Sequence, residues 1–316
     1  MKKTPAKTAP PIGRFIDPLT DFGFKRIFGS EPNKDLLIAF LNELFRGRKV
    51  IKDLVYNAQE KNGPARYFRK AIFDLTCTGA NNETFIIEVQ RADQKFFIDR
   101  ALFYTASKIH EQGPGGSKNW NFQLKEIYFV GLMDFNFDNT MPGKYLHRVR
   151  LAEEETGQTF YNKLGFIFLE LPNFTIKENA IKTDLERWMY VLCNMAKMEK
   201  IPVILHKKIF QKLFKIAEVA NLKKEDYMLY EKDLLDKWTA YSVLKTAEEK
   251  GMEKGMEKGR KEGIEEGRKE GVEEGKELSV KNLITKFGFT DEQAANAAEV
   301  SVAFVKKVRA ALVKGK

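Results

Sequence analysis

Apolar residues recur at three- and four-residue spacing early in the chain. Leu36, Leu37, Phe40, Leu41, Leu44 and Phe45 follow one another as one face of a helix does. Ahead of them Phe22, Phe24, Ile27 and Phe28 form a second apolar cluster, and Gly29-Ser30-Glu31-Pro32 separates the two. The stretch from Asp17 to Arg46 is therefore read as helical, with Asn33 as an N-cap for its second segment. Three strands follow: Val50–Gln59, Lys70–Thr78 and Thr84–Gln90, the last two joined into a hairpin by Gly79-Ala80-Asn81-Asn82. Phe96–Glu111 returns to a helical period and stops at Gly113-Pro114-Gly115-Gly116. Lys125–Met133 is an apolar run with polar flanks, as a buried strand is. His147–Ala152 and Gly165–Leu171 read as further strands, and Asp184–Glu249 is mainly helical. The order helix, three strands, helix, strand predicts an α/β fold: a mixed sheet flanked by helices.

The pattern changes at Gly251. From there to Gly275 a glycine stands at every fourth position, in GMEKGMEKGRKEGIEEGRKEGVEEG. Each glycine costs a helix roughly 1 kcal/mol relative to alanine, which opposes an isolated helix. A four-residue period nevertheless draws the glycines into a stripe that drifts about 40° per step, along which two backbones can approach closely. A helical self-association element and a flexible charged linker are the two readings. With nine acids and seven bases between Gly251 and Glu277, the repeat is not a DNA-binding tail. The last segment regains globular composition. A first short helix around Lys281–Phe287 precedes two more, one with Ala294, Ala297 and Ala298 and one with Val302, Val305 and Val308, parted by a turn near Ser301. Seven bases against three acids after Glu277 make this either a small DNA-touching unit or a bundle that packs on itself or on a second copy. The organisation expected is an unstructured arm at 1–14, a main domain at 15–250, the repeat at 251–277 and a helical unit at 278–316.

Composition narrows the function. The net charge of +10 favours polyanionic partners such as nucleic acid. Cys77 and Cys193 are far apart and outside any CxxC, and His110, His147 and His206 are scattered, so no zinc site is expected. No run approaches the roughly 18 apolar residues that span a bilayer. The expectation is a soluble, cytoplasmic protein without membrane partners.

The candidate chemistry lies in the hairpin. Asp74 and Glu88 sit inside apolar strands, and a carboxylate there costs several kcal/mol to desolvate unless it gains a partner. Two carboxylates on adjacent strands can converge on one hard cation such as Mg²⁺. Glu88 and Gln90 share a strand face, and the carbonyl of Val89 between them offers a third oxygen. Phosphodiester cleavage needs such a cluster, because the metal acidifies a water and neutralises charge in the transition state. Gln90 would orient that water. The plain alternatives are solvent-facing acids on half-exposed strands and a surface glutamine. Arg100 and Tyr104 share a helix face, either meeting a phosphate near the site or, for Tyr104, merely packing. Asp21 is read as a helix cap or a site residue. No Ser/His/Asp triad and no P-loop is present.

FD, thirteen residues, then ExQ looks like a PD-(D/E)XK nuclease core with glutamine in place of lysine. The surrounding text resembles the recombination-promoting nuclease (Rpn) family of PD-(D/E)XK transposase-like proteins: DPLTDFGFKRIFG at 17–29, LLIAFLNELF at 36–45, FDLTCT at 73–78, FIIEVQ at 85–90, RALFYTASKIHEQGPGG at 100–116 and KEIYFVGLMDF at 125–135. The likeness covers about residues 15–250 and extends to the glycine repeat; Phe73 departs from the motif's proline. It implies a restriction-endonuclease-like fold, a Mg²⁺-dependent DNA endonuclease (Mn²⁺ substituting) and a role in recombination or transposition-like processes. It also implies Asp74 and Glu88 as metal ligands and Gln90 as the third catalytic residue. Glu43, on the first long helix, has two readings: a further carboxylate near the metal, at a position often used in this superfamily, or an exposed helix residue. A homo-oligomer joined through the repeat and C-terminal region is expected. The competing readings are a catalytically silent DNA-binding or scaffolding protein on the same fold, and RNA cleavage.

Overall fold

The computed structural model describes residues 12–57, 74–91, 96–113 and 120–314. The arm expected at 1–14 lies outside them except for Ile12–Arg14, as do the end of the first strand (58–59), the start of the second (70–73, with Phe73) and Pro114-Gly115-Gly116. Two compact units divide at Tyr241/Ser242.

The first unit opens with α1 (Asp21–Phe28) and α2 (Lys34–Leu44), the helices drawn by the early apolar periodicity. Thr20, not Asp21, caps α1: its hydroxyl accepts from the Gly23 N–H, while Asp21 heads the helix and pairs with Lys25 at 2.7 Å. A side chain at Gly23 would lie 2.0 Å from the Asp17 carbonyl, so only glycine lets the chain turn so tightly there. Asn33 stands at the N-cap position of α2 as expected, but its side chain makes no capping hydrogen bond among the described residues; its amide donates instead to the Arg26 carbonyl.

Six strands form one sheet in the order β1-β2-β3-β4-β6-β5. They are β1 (Leu54–Tyr56), β2 (Leu75–Gly79), β3 (Thr84–Gln90), β4 (Ile127–Met133), β5 (Leu146–Ala152) and β6 (Thr159–Glu170). The three central strands β3, β4 and β6 are mutually parallel, and the remaining pairs are antiparallel. β6 starts six residues earlier than its continuous apolar stretch announces, because the mixed segment Thr159–Lys163 continues the pairing with β5 where the strand is largely exposed.

Alternation along the strands divides the core. Leu75, Cys77, Phe85, Ile87, Val130, Leu132, Ile167 and Leu169 face α1, α2, α4 (Asp184–Asn194) and α5 (Lys208–Ala217), where Trp188 and Phe40 are buried. Ile86, Phe129, Met133, Phe166 and Phe168 face the other way and pack against Phe97 and Ala101 of α3 (Phe97–His110), the helix linking β3 to β4. Buried Tyr230, in the first turns of α6 (Lys224–Phe287), accepts the Asp17 N–H at 2.7 Å, and Asp233 accepts the Phe22 N–H at 2.6 Å.

α6 runs without a break through the glycine repeat, which is therefore helical and not an irregular linker. Salt bridges at i,i+4, among them Lys261–Glu257 and Lys269–Glu265 at 2.7 Å, help offset its glycines. The expected helix at Lys281–Phe287 is the end of α6. α7 (Asp291–Ala297) and α8 (Val302–Lys314) follow, and in this second unit Val280, Ala294, Ala295, Val305 and Val308 make a small core. Ala295 rather than Ala297 is buried there, and Thr290 and Gln293 cap α7 reciprocally. No helix among the described residues is long and apolar enough to cross a membrane.

Candidate active site

β2 and β3 pair with Leu75 opposite Ile87; Asp74 immediately precedes β2, so the register carried one residue further sets it opposite Glu88. Cross-strand partners share a face, so the two acids stand side by side. Their parity is that of Ile86, which puts Glu88 and Gln90 on the α3 side of the sheet. Gln90 ends β3, and both it and Glu88 are buried, at 7% exposure each.

Asp74 accepts the Val89 N–H at 2.6 Å. The N–H and C=O of one strand residue project to the same side of the strand, so the Val89 carbonyl also faces the β2 side, where Asp74 lies. Arg100, in the first turn of α3, donates through Nη2 to Glu88 Oε1 at 2.6 Å, and the same nitrogen bonds Gln90 Oε1. Its guanidinium also lies over the Phe97 ring, 5.2 Å from the centroid. Glu88 Oε2 is buried and has no hydrogen-bond partner among the described residues.

These surroundings disfavour negative charge. Burial raises the pKa of Asp74 against the Val89 N–H that lowers it; Asp21 adds to the rise, and Lys25 and Arg91 oppose it. Burial lifts Glu88 to about 7 against the pull of Arg100, and the charge of Asp74 adds to the rise. Tyr104, one turn beyond Arg100, is raised by burial first and by Glu88 next, which places its phenol within electrostatic reach of the same centre.

A divalent cation fits this donor set. Asp74, Glu88 and the Val89 carbonyl offer hard oxygen donors with the Gln90 amide beside them, one Glu88 oxygen is unpartnered among the described residues, and a bound cation would reverse the pressure to protonate both acids. No group of three or more His, Cys, Asp or Glu is poised to hold a metal among the described residues, so the fit rests on two carboxylates with amide and carbonyl oxygens.

The expected residues Asp74, Glu88, Val89, Gln90, Arg100 and Tyr104 come together. Glu43 does not join them. It sits on α2, whose apolar side packs in the cluster on the other face of the sheet, and it pairs with Arg46 at 3.6 Å. Sequence reasoning missed Arg91 and Asp134. Arg91 follows the ExQ triplet directly, acts electrostatically on both Asp74 and Asp134, and keeps a buried Nη1 without a hydrogen-bond partner among the described residues. Asp134 follows β4 and donates its N–H to the Gln90 carbonyl at 2.9 Å. The only sequence signal for either was its place at a strand end beside the motif.

A mixed sheet flanked by helices, with paired acids on a hairpin at its centre, defines a restriction-endonuclease-like α/β fold of the PD-(D/E)XK type. The family described as PD-(D/E)XK nuclease family transposase matches residues 18–247, and the chain belongs to it. No curated protein and no solved structure matches the chain.

Proposed function

We propose that the protein is a divalent-metal-dependent DNA endonuclease, with Asp74, Glu88 and the Val89 carbonyl holding the ion and Gln90 placing the attacking water. One observation carries the reading: buried Glu88 and half-buried Asp74 on neighbouring strand segments, with a Glu88 oxygen that has no hydrogen-bond partner among the described residues. A buried polar atom left in that state costs about 1–3 kcal/mol, more if charged, and a cation removes the cost. The ion, Mg²⁺ with Mn²⁺ as a substitute, would supply charge stabilisation to the phosphodiester and acidify water.

The chain's own residues do the rest. Asp74 and Glu88 hold their carboxylates together against mutual repulsion, a state that only a cation makes favourable at neutral pH. Gln90, neutral and buried, orients water by hydrogen bonding without adding charge to the site. Phe97 and Phe129 back the acids on this face with apolar surface, which lowers the local dielectric and strengthens each polar contact. The net charge of +10 favours a polyanionic substrate. Assembly as a homo-oligomer through the repeat belongs to the same proposal.

Nicking of supercoiled plasmid with Mg²⁺ tests it. The wild type should nick, and Asp74→Ala and Glu88→Ala should each lose on the order of a hundredfold or more in rate. Equal rates in all three proteins would remove the site assignment. An inactive wild type would leave a DNA-binding protein on a nuclease fold.

A further inference from the structure

We infer that Arg100 is the phosphate-binding residue of this site, and that without metal its guanidinium stands in the cation's place. The inference rests on Asp74 and Glu88 being the metal ligands. A single nitrogen, Arg100 Nη2, touches Glu88 Oε1 and Gln90 Oε1 together. A positive group held against the Glu88 carboxylate stands where a metal ion bound by that carboxylate would stand. The guanidinium thus occupies one Glu88 oxygen and leaves the other without a partner among the described residues.

The position of Arg100 allows it to leave. Its side chain is 26% exposed against 9% for Glu88, so it reaches the acids from the solvent side of α3. The contact with Phe97 supports the head group over an aromatic face, from which a rotation carries it outward without moving the helix. Charge decides what it meets there. Arg100 with ionised Asp74 and Glu88 leaves the cluster at −1. A divalent ion with Arg100 kept at the rim brings it to +1, which complements the single negative charge of a phosphodiester. The planar fork of a guanidinium matches two phosphate oxygens as it matches a carboxylate. Metal and Arg100 therefore compete for Glu88, and they cooperate on the substrate.

Competition and support predict opposite signs. Mn²⁺ would be titrated by calorimetry into the full-length wild type, Arg100→Gln and Arg100→Lys without DNA, and nicking measured at saturating Mn²⁺. If the arginine-filled state holds about nine-tenths of the molecules, removing it tightens Mn²⁺ binding by on the order of tenfold. Arg100→Gln should therefore bind Mn²⁺ more tightly and nick more slowly, while Arg100→Lys, still cationic, stays near the wild type in affinity. Weaker or unchanged binding by Arg100→Gln, with the wild type binding normally, overturns the inference and leaves the ligand assignment standing. Absence of Mn²⁺ binding in all three proteins removes both. A second readout needs no neutral variant. In the wild type the Arg100 Nε–H resonance, assigned by its loss in Arg100→Lys, should shift on adding Mg²⁺, and an unmoved resonance at saturating Mg²⁺ overturns the inference.

Discussion

Replacing Glu88 by glutamine should stabilise the metal-free protein above neutral pH, although it removes a residue of the proposed site. Burial raises the Glu88 carboxyl from 4.5 to about 7, so the folded state holds that proton more tightly than the unfolded chain does. Below pH 4.5 both states are protonated and the group is neutral in its effect. Between 4.5 and 7 the unfolded chain ionises first and stability falls, at about 1.4 kcal/mol for each pH unit. Above 7 the loss is complete, at about 3 kcal/mol. Glutamine keeps the shape of the protonated form and an oxygen for Arg100, so Glu88→Gln should lack that slope. A difference of this size corresponds to about 6–12 °C in melting temperature for a domain of this class. Melting curves in EDTA from pH 5 to 8 should therefore converge near pH 5 and separate by pH 8, with the variant the more stable. Adding Mg²⁺ at pH 8 should raise the wild type and leave the variant in place, because a metal that binds only the folded state stabilises it by mass action. A variant less stable than the wild type at pH 8 in EDTA, or equal Mg²⁺ shifts in both, would refute the argument that the site is built for a cation.

Two further predictions test packing. Gly131→Ala, next to Glu88 in the sheet register, would place a methyl 3.1–3.3 Å from Phe168, Phe97 and Phe129, and should cost about 1–3 kcal/mol by denaturant melting. Gly263→Ala and Gly267→Ala meet no atom within 4 Å, so each should add about 1 kcal/mol of helix stability, read as increased helical circular dichroism of the full chain on heating.

Much of this molecule was legible from its residues because the signals are local. The 3.6 periodicity placed α2 and α3, and turn-bounded apolar runs placed β3 and β4, within a residue or two, since burial of one helix face or of a whole strand selects those patterns directly. The isolated acids in KAIFDLTCT and TFIIEVQ marked the candidate site, because a charge inside an apolar strand needs a partner. Caps were less legible. Thr20 took the role open to Asp21, and Asn33 turned back to Arg26, because neighbouring polar residues compete for the same N–H groups and only the path of the backbone selects one. The glycine repeat could be weighed as helix or linker but not decided from propensity, since glycine spacing and paired charges pull in opposite directions.

Tertiary structure alone decided which face each candidate occupies and what it meets. Strand parity shows that Glu88 and Gln90 share a side, but only the register with β2 brings Asp74 opposite Glu88, and only the βαβ path lays Arg100 across both Glu88 and Gln90. Glu43 illustrates the converse: a carboxylate on the right kind of helix, carried by the packing of α2 into the core on the other side of the sheet. Arg91 acts on Asp74, and the Asp134 N–H meets the Gln90 carbonyl because parallel strands end side by side, a proximity between distant segments that no local pattern encodes.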